Sequence, residues 1–261
     1  MSEPVFFLGS ASEAARLGPA VQAVNSAAEF RTALLHRKAR WFAYRESVLS
    51  GLLGQMVEPQ ETWHRLLLLQ RPSPGRREVL RAVFRVVVTP DDAMKLLGAE
   101  DLEEILKAES PEDYFIAGMV DRDDNMLVLY RGNLDRMLVP LDFFVKKVGP
   151  AKPDFTDFEI IDAGQTLKFG GYEAASSAVL YEFDADARKR MKDREREQDE
   201  TFGGALKRLR LSKGLSRSDF PGLDAKTVAR IERNEVLAPH EDTIAILAKR
   251  LGVKPGAINT Y

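Results

Sequence analysis

The sequence predicts a multidomain chain. An N-terminal α/β part is built on a parallel sheet, a small α+β part follows, and the C-terminal part is all-α. Three observations carry this. Short apolar runs alternate with helical stretches over residues 1–115. Aromatic-rich strand pairs punctuated by turns occupy 116–183. A helical apolar period, broken by Gly, Asn and Pro, runs through 201–261, with a charged stretch at 184–200 before it. A length of 261 residues is enough for two or three domains at about 100–200 residues each.

In the first part the apolar runs are Val5–Leu8, Val21–Val24, Trp41–Tyr44, Leu66–Leu69 and Val86–Thr89. Helices are expected between and after them, at Ser12–Leu17, Ser26–His36, Ser47–Val57, Gly75–Val83 and Pro90–Ala108. Ser26 with Glu29 three residues on has the spacing of a capping box. Alternating strands and helices imply a parallel sheet covered on both faces, and near-continuous apolar strands fit burial on both sides.

Residues 116–183 change character. Met119–Tyr130 reads as a hairpin turning at Asp123-Asp124-Asn125. Leu138–Pro140 reads as a short strand, and Leu141–Val148 as a helical turn. Phe158–Ile161 and Thr166–Phe169 make a second hairpin, and Gly170-Gly171 breaks the chain. Phe143, Phe144, Phe155, Phe158 and Phe169 are the expected core. The acids Asp121, Asp123 and Asp124 lack the later Gly and Glu of a calcium loop and read as a solvated turn.

The stretch 184–200 is almost wholly polar, with charges of both signs at helical spacing, and reads as an exposed helical linker. In the last part, Phe202, Leu206, Leu209 and Leu211 form one helix stopped by Gly214. Ser216, with Asp219 three on, caps a short second helix that Pro221 cuts off. Asp224 caps a third helix carrying Val228 and Ile231, which Asn234 ends. Thr243–Leu251 is a fourth helix ended by Gly252, and Pro255–Ile258 begins a last turn.

Charge is distributed unevenly. The formal net charge is −2. From Thr201 onward eleven basic residues face six acidic ones, so this part carries +5 and the first 200 residues carry −7. Such asymmetry points to a polyanionic partner for one part only. There is no cysteine, which excludes disulfides, thiolate metal sites and cysteine nucleophiles. No apolar run is long enough to span a bilayer, and the N-terminus lacks the basic start of a signal peptide. A cytoplasmic protein with no membrane contact is expected.

Three resemblances attach to these residues. Over 1–115 the five-fold β/α order resembles the receiver domain of response regulators, and equally any other flavodoxin-like α/β domain. The match is of pattern. Where receivers place acids after the first strand stand Gly9 and Ser10, the third strand ends in Tyr44-Arg45-Glu46 without Asp, and Thr89-Pro90 follows the fifth without Lys. The resemblance therefore implies a receiver without phosphorylation chemistry, used for dimerisation, signal input or partner docking. Over 116–183 the hairpin, Val139–Phe144 and Gly164–Phe169 resemble a small β-rich domain of unknown function that often precedes helix-turn-helix units in bacterial proteins.

The third is the most specific. Leu206–Ser216, Thr227–Asn234 and Asp242–Pro255 resemble, in order, the Cro/C1-type (XRE) helix-turn-helix family, whose lambda-repressor-like fold has five helices and binds operator DNA. The resemblance implies that the third helix is the recognition helix. Ala225, Lys226 and Arg230 then fall where the family places major-groove readers, Thr227 where a hydroxyl meets phosphate, and Arg217 near the backbone. Lys207, Arg208 and Arg210 stand where they neutralise phosphates, or brace acids as first-helix arginines of such domains often do. Glu232 falls where the family keeps a structural bond. One departure is visible: Asp219–Asp224 is about three residues shorter than the usual pattern, which shifts the angle of the recognition helix.

No catalytic motif is present. His36, His64 and His240 are scattered, and no metal or cofactor site is expected. The expected function is a sequence-specific regulator bound to double-stranded DNA as a homodimer. The alternative is an interaction protein of antitoxin type, whose first domain docks a protein partner.

Overall fold

A computed structural model describes residues 3–49, 52, 63–145, 152–197 and 199–260. The chain divides into two compact units, Met1–Asp184 and Ala185–Tyr261.

The first unit opens with a five-stranded parallel sheet. Its strands are β1 (Val5–Leu8), β2 (Val21–Val24), β3 (Lys38–Ala43), β4 (Trp63–Leu68) and β5 (Val86–Val88). Their order is β2-β1-β3-β4-β5, the doubly wound order that flavodoxin and receiver sheets share. Helices α1 (Ala11–Leu17), α2 (Ala27–Leu34) and α3 (Pro74–Val83) connect them. The capping box at Ser26 is present, with Glu29 N–H donating to Ser26 Oγ at 3.3 Å and Ser26 N–H donating to Glu29 Oε2 at 3.2 Å. Ser10 caps α1 in the same way through Glu13.

Trp41 is the centre of the main core and is fully buried. Phe6 (ring centroids 4.7 Å apart), Phe30 (5.4 Å) and Phe84 (5.8 Å) surround it. Phe7 and Phe42 point to the opposite face of the sheet and are also buried. This two-sided burial is why the strands read as continuous apolar runs.

The helix expected over Pro90–Ala108 is half right. Asp91 Oδ1 accepts the N–H groups of Ala93 (3.0 Å) and Met94 (2.8 Å), a local turn that competes with a helical start. Residues Lys95–Leu96 form β6, and the helix α4 occupies only Ala99–Lys107. Of the helix expected over Ser47–Val57, the described residues show a 3-10 turn at Glu46–Leu49, and Ser50, Gly51 and residues 53–57 lie outside them. The helical turn expected over Leu141–Val148 appears as α5 (Asp142–Val145), with its last three residues outside the described set.

The α/β part and the β-rich part pack as one unit. β6 pairs antiparallel with β7 (Phe115–Asp121), which continues into β8 (Met126–Arg131) and β9 (Arg136–Pro140), giving a four-stranded sheet. A second antiparallel sheet holds β10 (Phe158–Ile161), β11 (Thr166–Phe169) and β12 (Tyr172–Ala175), followed by α6 (Ser176–Phe183). β12 and α6 had no counterpart in the sequence pattern. β10 crosses β7 closely because position 118 is glycine: a Cβ there would lie 3.0 Å from the Phe158 ring. The expected aromatic core forms, with Phe169 within 4.8 Å of Phe144, 5.2 Å of Phe158 and 5.4 Å of Phe155. Asp121 accepts the N–H groups of Asp123 and Asp124, so the acid run is a closed turn.

The second unit is helical. It contains α7 (Ala185–Glu197), α8 (Phe202–Ser212), a 3-10 turn at Arg217–Asp219, α9 (Ala225–Glu232), α10 (Glu241–Leu251) and a final 3-10 segment, Pro255–Thr260. The stops fall at Gly214 (φ 65°), Asn234 (φ 58°) and Gly252 (φ 71°), the left-handed positions that Gly and Asn tolerate best. Leu206, Leu209, Phe220, Val228, Ile231, Leu247, Leu251 and Ile258 form one core. Leu211, expected among them, is 58% exposed, because it falls off the inward stripe of α8. No helix among the described residues is long and apolar enough to cross a membrane.

Candidate nucleic-acid interface

α9 has two chemically distinct faces. Val228, Ala229, Ile231 and Glu232 point inward and are buried. Lys226, Thr227 and Arg230 are exposed, and Ala225 is half-buried. Lys226 and Arg230 are four residues apart, so they share one face. Asp224 starts the helix by accepting the Lys226 N–H at 2.6 Å.

The helix is held from below by one carboxylate. The Glu232 side chain is wholly buried and sits between two arginines. Arg210 of α8 grips it through Nε and Nη2, the latter at 3.1 Å from Oε2. Arg217 Nε donates to Oε2 at 2.8 Å. Burial pushes the Glu232 carboxyl up, but hydrogen bonds from Arg210 and Arg217 outweigh it and hold the pKa below the ordinary 4.5. Arg210 also donates to the Leu215 carbonyl at 2.7 Å. It is a brace, with its side chain 7% exposed. Arg208 reaches the Asp199 carbonyl, the same bracing use of a first-helix arginine.

The approach of α8 to α9 depends on Gly203. A Cβ there would fall 2.2 Å from the Ile231 carbonyl oxygen. Asp199 ties the start of α8 to the end of α9. It accepts from the Thr201 N–H at 3.0 Å and from Asn234 Nδ2 at 3.4 Å. The hydrogen bond from the Thr201 hydroxyl, ahead of the others, holds the Asp199 carboxyl below its ordinary pKa.

Lys207 and Arg217 come together in one cleft of about 1060 Å³, where Arg194 and Arg233 join them. Arg233 follows Arg230 by three residues, close to one helical turn, so the spacing of the two is legible in the sequence. Arg230 and Arg233 both reach Glu235, at 3.3 and 2.7 Å. These pairs are about half exposed. Such ion pairs are weak and exchange readily for another anion. The second helical element is only the three-residue 3-10 turn, because Pro221 holds the residue before it, Phe220, in extended conformation.

Among the described residues, no three His, Asp or Glu side chains are placed to hold a metal ion. In the first unit Ser10 is a helix cap and Glu46 pairs with Arg76 at 3.3 Å. No protein-family model, curated protein or solved structure matches this chain.

Proposed function

We propose that the chain is a sequence-specific regulator that binds double-stranded DNA through a Cro/C1-type helix-turn-helix in its C-terminal unit. In this reading α9 enters the major groove. Arg230 and Lys226 read base edges, Ala225 contacts bases, and Thr227, Lys207 and Arg217 meet phosphates. Arg210 is left out of the contact set because it is buried on Glu232.

The observation that carries the reading is the division of α9. Its inner face is anchored by a buried carboxylate, and its outer face carries Lys226, Thr227 and Arg230 on solvent. An α-helix fits the major groove, and an arginine can bond O6 and N7 of one guanine. The surplus of +5 over residues 201–261 supports attraction to a polyanion. The first unit then serves dimerisation and signal input, and a homodimer would set two copies of α9 about 34 Å apart.

Selection from random duplex DNA by the purified full-length chain, at about 150 mM salt with a salt titration, tests this. Enrichment of a near-palindromic site is expected. Weak binding that collapses with salt and enriches nothing would overturn the reading and favour a protein-docking role.

A further inference from the structure

Four basic residues converge on a cavity of about 520 Å³ in the first unit: Lys38, Arg65, Arg85 and Arg136. Asp135 is the one acid among the lining residues. This is against the trend of the unit, since residues 1–184 carry a net −7 by count. The topology explains the gathering. Lys38 opens β3, Arg65 lies in β4 and Arg85 immediately precedes β5, with Lys38 opposite Trp63 and Arg65 opposite Val86. All lie toward the N-terminal end of the parallel sheet. Arg136 opens β9 and faces Tyr130, which also lines the cavity.

The acids nearby are already committed. Asp135 and Glu3 both pair with Arg65, and Glu3 Oε2 also lies 3.9 Å from Lys38 Nζ, a long and half-exposed pair. Neither Arg85 nor Arg136 has a carboxylate partner among the described residues. Arg65 keeps a buried Nε with no hydrogen-bond partner. The Arg85 guanidinium lies 3.7 Å over the Trp63 ring, and Trp63 is 48% exposed. Arginine stacked on an aromatic ring presents a flat, cationic platform.

At the opposite end of the sheet, where open parallel sheets ordinarily hold ligands, described polar side chains pair with one another. Arg45 bonds Glu13 at 2.7 Å, Tyr44 donates to Glu103 at 2.9 Å, and the Glu46 N–H donates to Gln70 at 2.8 Å.

We propose that the cavity binds a small anion bearing a planar ring, of the nucleoside monophosphate class. Arg136 and Lys38 take the phosphate, and the Trp63–Arg85 stack with Tyr130 takes the ring. The volume suits one such ligand, and guanidinium groups bind phosphate oxygens in pairs. The proposal stands whether or not the C-terminal unit binds DNA.

Calorimetric titration of the full chain at low salt with AMP, GMP, CMP and UMP tests it. Adenosine and inorganic phosphate serve as half-ligands. At least one nucleotide is expected to bind saturably, about tenfold or more tighter than either half-ligand. Arg136→Gln and Arg85→Gln should each weaken it by about tenfold with unchanged circular dichroism. Trp63 is one of two tryptophans, and the other, Trp41, is buried, so binding should also change the Trp63 fluorescence. Absence of saturable heat for all four nucleotides up to about 5 mM would overturn the proposal, as would binding unaffected by both folded variants. A 5′-phosphorylated single-stranded pentanucleotide binding more than about tenfold tighter than any mononucleotide would overturn the small-ligand assignment in favour of a strand.

Discussion

Arg210 and Glu232 join α8 to α9 across 22 residues of sequence, through two hydrogen bonds with both side chains buried. A buried carboxylate costs several kcal/mol unless it is paired, and here two arginines pair it. The bond sets how far the outer face of α9 stands from the rest of the unit.

Removing one partner should therefore be costly. Arg210→Met leaves Glu232 with Arg217 alone and should destabilise the C-terminal helices by about 3–5 kcal/mol, measured by urea unfolding. Arg210→Met combined with Glu232→Leu should cost less than the sum of the two single changes. Additive losses would show that the two residues act independently. The folded Glu232 pKa lies below the ordinary 4.5, so this contribution is present above about pH 4.5 and is lost as pH falls through the lower folded value.

Arg230→Ala should leave the unfolding midpoint unchanged, since its bond to Glu235 is half exposed. It should relax base preference at one position of the selected site by about 1–3 kcal/mol, read by competition binding. An unaltered site preference would remove Arg230 from the base contacts.

Glu235→Gln releases both Arg230 and Arg233 from their shared acid. Non-specific DNA binding should tighten, and its dependence on salt should steepen. The measurement is a fluorescence anisotropy titration at several salt concentrations. No change would mean that neither arginine faces the phosphates.

Gly203→Ala places a methyl group against the Ile231 carbonyl, inside van der Waals distance. It should destabilise the C-terminal unit by about 1–3 kcal/mol and leave the first unit intact. Hydrogen exchange, which reports the two units separately, checks both statements.

In the first unit, Trp41 Nε1 donates to His64 Nδ1 at 3.1 Å, so the neutral ring carries its proton on Nε2, toward the Leu34 carbonyl at 3.4 Å. Burial holds the His64 pKa below the ordinary 6.5. The stabilisation is fully present above pH 6.5 and is lost as pH falls from there through the folded value. His64→Gln keeps an acceptor for Trp41 but does not titrate, and should flatten the stability profile below pH 6.5. An unchanged profile would assign the loss to other groups.

Much of this was legible from local chemistry. Ser26 with Glu29, Ser216 with Asp219, Asp224 before α9, and the stops at Gly214, Asn234 and Gly252 are decided within a few residues of chain. Apolar periods placed β1 and β2 to the residue and α10 within two. The exposed face of α9 followed from helical geometry, because Lys226 and Arg230 share one side whenever Val228 and Ile231 are buried. Where local signals conflicted, as at Asp91 and Lys95, the period alone misled: a strand-edge partner in β7 outweighed helical spacing.

Non-local pairing was beyond that reach. Nothing near Arg210 announces Glu232, and nothing near Arg65 announces Asp135, 70 residues away. The gathering of Lys38, Arg65, Arg85 and Arg136 arises from strand register and from a hairpin that crosses the sheet end. Helix caps and periodicity act through neighbouring residues, so one strand of text contains them. Whether a charge becomes a brace, a surface contact or the wall of a cavity depends on which distant acid the fold brings within reach, and that is set when the sheets and helices pack.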